Sequence, residues 1–221
     1  MSKILGIFGA GGAGREVLEL ARIINSKTQR WQEIYFILDI EITSKEVNNV
    51  RVLSYEDFRS KYGDSSEIIV AIGEPLVREK IFNKLEQDNM KLASLIHPDV
   101  YIPDSTTIGR GVIIQYGCFI SCNVTIKDYV YIQPHCNISH DDVLQEGCII
   151  SGFVNLAGNV KIGKFTYIGL SAALKEDISI GDRSIISMGA IVYKNVPDSV
   201  VVIGNPARVI ARNIDGKVFR R

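Results

Sequence analysis

From Ile108 onward, an aliphatic residue returns at every sixth position. The series runs Ile108, Ile114, Ile120, Ile126, Ile132, Ile138, Leu144, Ile150, Leu156, Ile162, Ile168, Leu174, Ile180, Ile186 and Val192, and all fifteen are Ile, Leu or Val. The positions two residues earlier are mostly small or apolar: Val112, Cys118, Val124, Val130, Cys136, Cys148, Val154, Val160, Ala172 and Ala190. Asp142 is the conspicuous exception. A helix cannot carry this pattern, because about 3.6 residues per turn would rotate a six-residue stripe around its surface. Short strands joined by turns can, each pointing one aliphatic side chain inward and its neighbours outward. Three hexapeptides then make one triangular coil of eighteen residues, and coils stack into a parallel β-helix. Between Ile108 and about Pro197 there is room for five coils, with turns in stretches such as "IGRG", "IGKF" and "IGDR".

The first hundred residues follow another pattern. "KILGIFGAGGAGREVLELARII" reads as a short buried strand, a glycine-rich turn and an amphipathic helix. "IYFILDIE" is a second strand ending at Asp39, and "VLSYEDFRSKYG" a turn and helix. "EIIVAIGEPLVREKIFNKLEQD" supplies a strand ending at Gly73 and a further helix. Alternating strands and helices imply a small parallel sheet of three or four strands, with ligand space at the strand C-termini. "ASLIHPDV" leads into the repeat, and Pro98 and Pro103 mark the joint. The expected division is therefore a Rossmann-like α/β domain over residues 1–97 and an all-β helix with a C-terminal tail over 98–221.

Composition narrows the function. The chain has 221 residues, 46% of them apolar, enough for a substantial core. Twenty-five basic residues balance twenty-five acidic ones, and no basic block suggests nucleic acid as a partner. The opening "MSKILGIFGAGGAGREV" is not a secretory signal, and no apolar run has the length of a membrane span. The expected location is the cytoplasm, where Cys118, Cys122, Cys136 and Cys148 remain thiols. Cys118 and Cys136 stack one coil apart, so a disulfide between them is geometrically conceivable. There is no CxxC or zinc spacing, and His97, His135 and His140 lie in different segments, a weak metal case.

Gly9, Gly11, Gly12 and Gly14 follow the first strand and precede a helix, the context in which a phosphate approaches backbone N–H groups. Asp39, ending the next strand, could hold a ribose hydroxyl, as in a redox dinucleotide site. The small sheet favours a mononucleotide diphosphate instead, since a full dinucleotide fold has two mononucleotide halves.

The six-residue beat resembles the hexapeptide-repeat, left-handed β-helix acyltransferases over roughly residues 96–210. With both halves considered, "GAGGAGREV", "LD", "AIG", "LIHP", "SHDD", "AGNVKIG" and "GNPARVI" resemble, in order, the nucleotide-sugar N-acetyltransferases of the bacillosamine pathway and the sialic acid O-acetyltransferases beside them. The resemblance implies the left hand of the helix, a homotrimer with the active site between subunits, and acetyl-CoA bound between neighbouring coils.

Such chemistry needs a base for the attacking amine, and a neutral imidazole suits it. A carboxylate on the other ring nitrogen fixes the tautomer, and Asp141 or Asp142 could serve. By resemblance the base is His140, its acidic neighbour Asp141, and the oxyanion donor the amide of Gly158. Gly158 lies eighteen residues after His140, so the repeat itself stacks the two in adjacent coils. Around the nucleotide sugar the resemblance implies Gly11, Gly12, Ala13, Gly14, Arg15, Asp39, Gly73, Glu74 and Gln133. For acetyl-CoA it implies Ile149, Gly158, Leu170, Met188, Gly189, Gly204, Asn205, Pro206 and Arg208, with Lys194 and Arg212 as further phosphate contacts.

Four positions depart from the family pattern. Ala13 stands where a histidine is common, with Arg15 available as a replacement phosphate contact. Ile149 replaces a second histidine, Gln133 an asparagine, and Asp39–Ile40 an acid pair. His135 is a turn residue and His97 packs at the domain joint.

The expected function is acetyl-CoA-dependent N-acetylation, at C4, of a nucleotide-linked amino-deoxy sugar, without a metal. The alternative is O-acetylation of a sialic-acid-type sugar. A non-enzymatic scaffold fits the repeat, but not His140, Asp141 and Gly158 in stacked register.

Overall fold

The structure is a computed structural model that describes residues 4–219. Strand β1 (Ile4–Phe8) is buried along its whole length and leads through the glycine turn into α1 (Gly12–Thr28). Then come β2 (Glu33–Leu38), β3 (Glu46–Val47), β4 (Val50–Ser54), α2 (Tyr55–Tyr62), β5 (Ser66–Val70) and α3 (Pro75–Gln87). The sheet order is β3-β4-β2-β1-β5, with β1 parallel to both β2 and β5. Helix α1 turns Val17, Leu18, Leu20, Ala21 and Ile24 into the core.

This sheet has five strands, more than expected. "VLSYEDFRSKYG" opens with the end of a strand, not a turn, and Ser54 caps the helix that follows by accepting the Asp57 amide at 3.1 Å. Two-residue β3 pairs antiparallel to β4 through Asn48 and Asn49, both at positive φ (47° and 61°). That turn conformation matches the twist of a tight hairpin, and asparagine tolerates it.

The repeat forms the three-faced parallel β-helix anticipated. One face stacks Ile108, Ile126, Leu144, Ile162 and Ile180; a second stacks Ile120, Ile138, Leu156, Leu174 and Val192. The third begins earlier than the six-residue series, at β6 (Leu95–Ile96), which pairs parallel to Ile113–Ile114. It ends later, where Val200–Ile203 pairs with the antiparallel strand Arg208–Arg212. Register links each strand to the one eighteen residues on, as in Ile132↔Ile150.

A second six-residue beat lies in the turns. Asn123, Tyr129, His135, Asp141, Phe153, Asn159, Phe165, Ser171, Asp177 and Arg183 all have φ between 50° and 65°, and Gly147 and Gly189 fill the same place. Left-handed backbone costs a non-glycine residue about 1–2 kcal/mol, so stacking between coils must offset it.

The two units share a core. Leu5, Ala71 and Leu95 pack with Ile113, Tyr131 and Ile149. Arg78 on α3, fully buried, donates to the carbonyl of Val70 at 2.8 Å and to that of Tyr129 at 2.6 Å, tying the sheet to the solenoid. Phe82 stacks on Tyr129 with centroids 3.9 Å apart, and Arg183 pairs with Glu79 at 2.7 Å.

Candidate active site

His140 precedes the left-handed residue of its turn, and this exposes its ring at a corner of the solenoid. Nδ1 lies 2.8 Å from Oδ2 of Asp141. With the carboxylate as acceptor, Nδ1 carries the proton and Nε2 the lone pair. The other Asp141 oxygen accepts Asn123 Nδ2 at 3.1 Å from the preceding coil. The hydrogen bond from His140, then that from Asn123, hold the Asp141 carboxyl below its ordinary range.

Gly158 stacks beside this ring. A Cβ there would lie 2.6 Å from His140 Nε2, so a side chain would displace the imidazole. The equivalent amides of Gly152 and Lys164 are taken by Gln133 Oε1 (3.1 Å) and Asp182 Oδ1 (2.7 Å). Among the described residues, the Gly158 amide has no protein acceptor. The corner thus combines an oriented base with a free N–H, the two elements acyl transfer asks of a protein.

Asp142 is fully buried beneath this corner, and its oxygens accept the amides of Ser139 (2.9 Å) and Val160 (2.8 Å). Burial pushes its carboxyl up to about 7 and outweighs the two amides, which act in the opposite direction.

In the α/β unit, Gly11 is the N-cap of α1 and Gly12 its first residue. Among the described residues no side chain caps this helix end, so its first amides face the strand C-termini unsatisfied by those side chains. Gly9 has φ 109°, and a Cβ there would come within 2.8 Å of the Ala71 carbonyl. At Gly14 a Cβ would strike the Gly9 carbonyl, so this glycine lets the helix sit against the turn. Ala13 is half-buried and Arg15 exposed on the first turn.

Asp39, just past β2, is paired with Lys84 of α3 at 3.0 Å. Gly73 and Glu74 follow β5, and here the structure adds a partner. The Glu74 carboxylate accepts the amides of Val218 (2.9 Å) and Phe219 (3.2 Å). The Phe219 ring lies over Gly73 and meets Tyr167 edge-on at 5.7 Å. Nothing in the tail sequence marks this docking.

Gln133 stands on the solenoid face toward the α/β unit, flanked by Gln115, Tyr131 and Ser151. The last three are buried, and among the described residues Gln115 Nε2, Tyr131 Oη and Ser151 Oγ have no hydrogen-bond partner. Tyr131 sits at an outward strand position between Ile113 and Ile149, in a stack that also holds Tyr167; a hydroxyl among aliphatic neighbours is a signal that could have singled it out.

Of the residues expected around acetyl-CoA, Leu170 and Met188 are exposed and stack one coil apart, with Gly189 after them at φ 66°. Gly204, Asn205 and Pro206 form the exposed turn before the last strand. Arg208 and Lys194 line one groove with Val192, Asn195 and Pro206; Arg212 is exposed on that last strand. Ile149 requires a correction, because it is fully buried against the α/β unit and lines no open groove. An apolar side chain at an outward position is covered by the neighbouring domain.

His97 is buried at the joint, and its Nδ1 accepts the Asp99 amide at 3.3 Å. His135 stacks on Phe153 with centroids 5.0 Å apart. All four cysteines are free, and Cys118 and Cys136 donate to carbonyls of the next coil at 3.1 and 3.0 Å. Among the described residues, no group of His, Cys, Asp and Glu could hold a metal ion, and no helix is long and apolar enough to cross a membrane.

Residues 4–85 match the PglD N-terminal domain. Over 216 residues the chain is 31% identical to a GDP-perosamine N-acetyltransferase of Escherichia coli O157:H7, covering 95% of this chain and 97% of that relative. The chain belongs to this family of nucleotide-sugar N-acetyltransferases. The acetyltransferase domain of PglB from Neisseria gonorrhoeae, solved with acetyl coenzyme A, superposes with a TM-score of 0.88 at 29% identity, covering 95% of this chain and all of that one (100%). PerB from Caulobacter crescentus, solved with CoA and GDP-perosamine, gives 0.83 at 26% identity, covering 94% of this chain and 97% of that one. The solenoid of this acyltransferase is accordingly a left-handed β-helix.

Proposed function

We propose that this N-acetyltransferase moves the acetyl group of acetyl-CoA to the C4 amino group of a nucleotide-linked amino-deoxy sugar. The observation that carries the reading is the His140–Asp141 pair stacked on Gly158, whose amide has no acceptor among the described residues. The relatives solved with acetyl-CoA, CoA and GDP-perosamine support the co-substrate and the acceptor class.

The neutral sugar amine attacks the thioester carbonyl carbon. His140 Nε2 takes the proton that leaves nitrogen, and Asp141 stabilises the resulting imidazolium through Nδ1–H. The Gly158 N–H donates to the oxyanion as the tetrahedral intermediate forms. Collapse of the intermediate breaks the C–S bond. CoA leaves as the thiolate and takes up a proton.

The open amides at the start of α1, with Arg15, hold the nucleotide diphosphate, and Asp39 and Gly73–Glu74 flank it. Gln133 faces the acceptor sugar. Leu170, Met188 and Gly189 line the pantetheine channel, and the 204–208 turn lies near the adenine end. The exposed His140 and the exposed Leu170–Met188 ridge suit a homotrimer whose active sites lie between subunits.

The test is release of free thiol from acetyl-CoA against a panel of UDP-, dTDP- and GDP-linked 4-amino sugars. Saturating turnover with one member identifies the carrier, and His140→Ala should then bind acetyl-CoA normally and lose most of kcat. Silence across the panel with intact acetyl-CoA binding would overturn the assigned acceptor.

A further inference from the structure

Asp142 occupies a place the repeat reserves for core. Val124 and Val160 lie in the same stack one coil before and after it, both fully buried. An acid there loses hydration that its coil neighbours never needed.

Its two hydrogen bonds go in different directions. Oδ2 accepts the Ser139 amide and so closes the turn that carries His140 and Asp141. Oδ1 accepts the Val160 amide, two residues beyond Gly158 in the next coil. Elsewhere in the solenoid, polar residues at such inward positions hold only the next coil. Thr106 accepts the Val124 amide at 3.3 Å, Thr166 that of Ser184 at 3.3 Å, and Ser184 that of Val200 at 3.2 Å. Each of these hydroxyls donates its proton to a carbonyl. A carboxyl group has two oxygens, and here each accepts one amide, so it braces a turn and a neighbouring coil together.

We infer that Asp142 is a positioning residue for acetyl transfer, bracing the turn of His140 and Asp141 against the coil of Gly158. It does not touch the reacting atoms. It holds the base and the oxyanion amide at a fixed separation while the intermediate passes between them. This inference rests on the acetyl-transfer role proposed for His140 and Gly158.

Two variants separate positioning from packing. Asp142→Val makes the position like Val124 and Val160 and removes both braces. Asp142→Thr makes it like Thr106 and keeps an acceptor for the Val160 amide alone. The valine variant should fold with a Tm no lower than wild type and keep KM for acetyl-CoA and for the nucleotide sugar within about twofold. Its kcat should fall about 10- to 100-fold, the scale of a displacement near 1 Å at a reacting group. The threonine variant should recover part of that loss. In a His140→Ala background, Asp142→Val should change the residual rate little, because the base it positions is gone.

A valine variant with kcat within twofold of wild type would overturn the inference. So would failure of both variants to fold, which would make Asp142 a structural brace alone. A wild-type enzyme silent on every amino sugar is a different result and overturns the proposed function instead.

Discussion

Replacing Gly158 by alanine puts one methyl group where the structure has no room for it. The new Cβ would lie 2.6 Å from His140 Nε2 and 3.0 Å from Nδ1. Ordinary carbon contacts begin near 3.5 Å, so the ring must retreat by roughly 1 Å or swing away. The backbone itself accepts alanine, since Gly158 is not among the positive-φ glycines. The imidazole is 62% exposed, so it can leave without disturbing the core. An off-rotamer ring costs about 1 kcal/mol, which for a chain of this size moves Tm by about 2–4 °C. Catalysis should lose far more, because displacement of a general base by 1 Å costs about 100-fold. The assay is free-thiol release with the accepted amino sugar, alongside a melting curve and acetyl-CoA binding. Gly158→Ala should fold, bind acetyl-CoA within a fewfold of wild type and lose about 100-fold in kcat. A double-mutant cycle sharpens it: with His140→Ala there is no ring to displace, and the Gly158 N–H survives, so the second change should cost little. A folded Gly158→Ala enzyme with kcat within threefold of wild type would refute the reasoning. Full additivity in the cycle would mean that the methyl acts on the substrate and not through His140.

Asp142 should also make stability depend on pH. Its folded value of about 7 stands above the ordinary 3.8, so folding favours the protonated acid and stability is lost as pH rises from about 4 to 7. That rise corresponds to roughly 4 kcal/mol at most, and the Tm gain of Asp142→Val over wild type should be larger at pH 8 than at pH 5. Equal gains at both pH values would count against a buried, late-titrating acid. Arg78→Ala leaves the carbonyls of Val70 and Tyr129 without their buried donor, so urea unfolding should report a loss of roughly 2–6 kcal/mol. A loss below about 1 kcal/mol would mean that water replaces the guanidinium. Truncation after Asn213 frees the Glu74 carboxylate from the tail amides and uncovers Gly73, and should lower KM for the nucleotide sugar while leaving KM for acetyl-CoA unchanged. Equal shifts in both constants would show that the tail acts on the fold as a whole.

The parts of this molecule that can be read from sequence are those in which local order repeats. A hexapeptide strand turns one side chain inward, and the aliphatic beat from Ile108 to Val192 reports it directly. The same beat hides the turns, because their left-handed residues include Tyr129, His135, Phe165 and Arg183, chosen for stacking between coils and not for conformational ease. The ends of the solenoid are also hidden. Leu95–Ile96 and Val200–Ile203 belong to its sheet, but Pro98 and Pro103 at one end and Pro197 at the other interrupt the series. The β3–β4 hairpin goes unseen because two residues are too few to show alternation. Ile149 reads as groove lining only while the solenoid is considered alone; the α/β unit covers it.

The candidate site divides along the same line. His140, Asp141 and Gly158 meet because an offset of eighteen residues becomes adjacency once coils stack, so sequence distance carries spatial information. Contacts between Glu74 and Val218, 144 residues apart, have no such translation, and neither does the bond from Arg78 to Tyr129. A solenoid therefore makes its own active corner legible while leaving the partner domain's contribution opaque. Asp142 shows where a break in the repeat becomes informative. Every other coil tolerates a small or apolar residue or a hydroxyl at such an inward position, and the one carboxylate among those described lies under the one histidine–acid pair. The acid costs stability above pH 7, and an aliphatic side chain would remove that cost. Its presence beneath His140 is therefore explained by what it holds in place, not by what it adds to the fold.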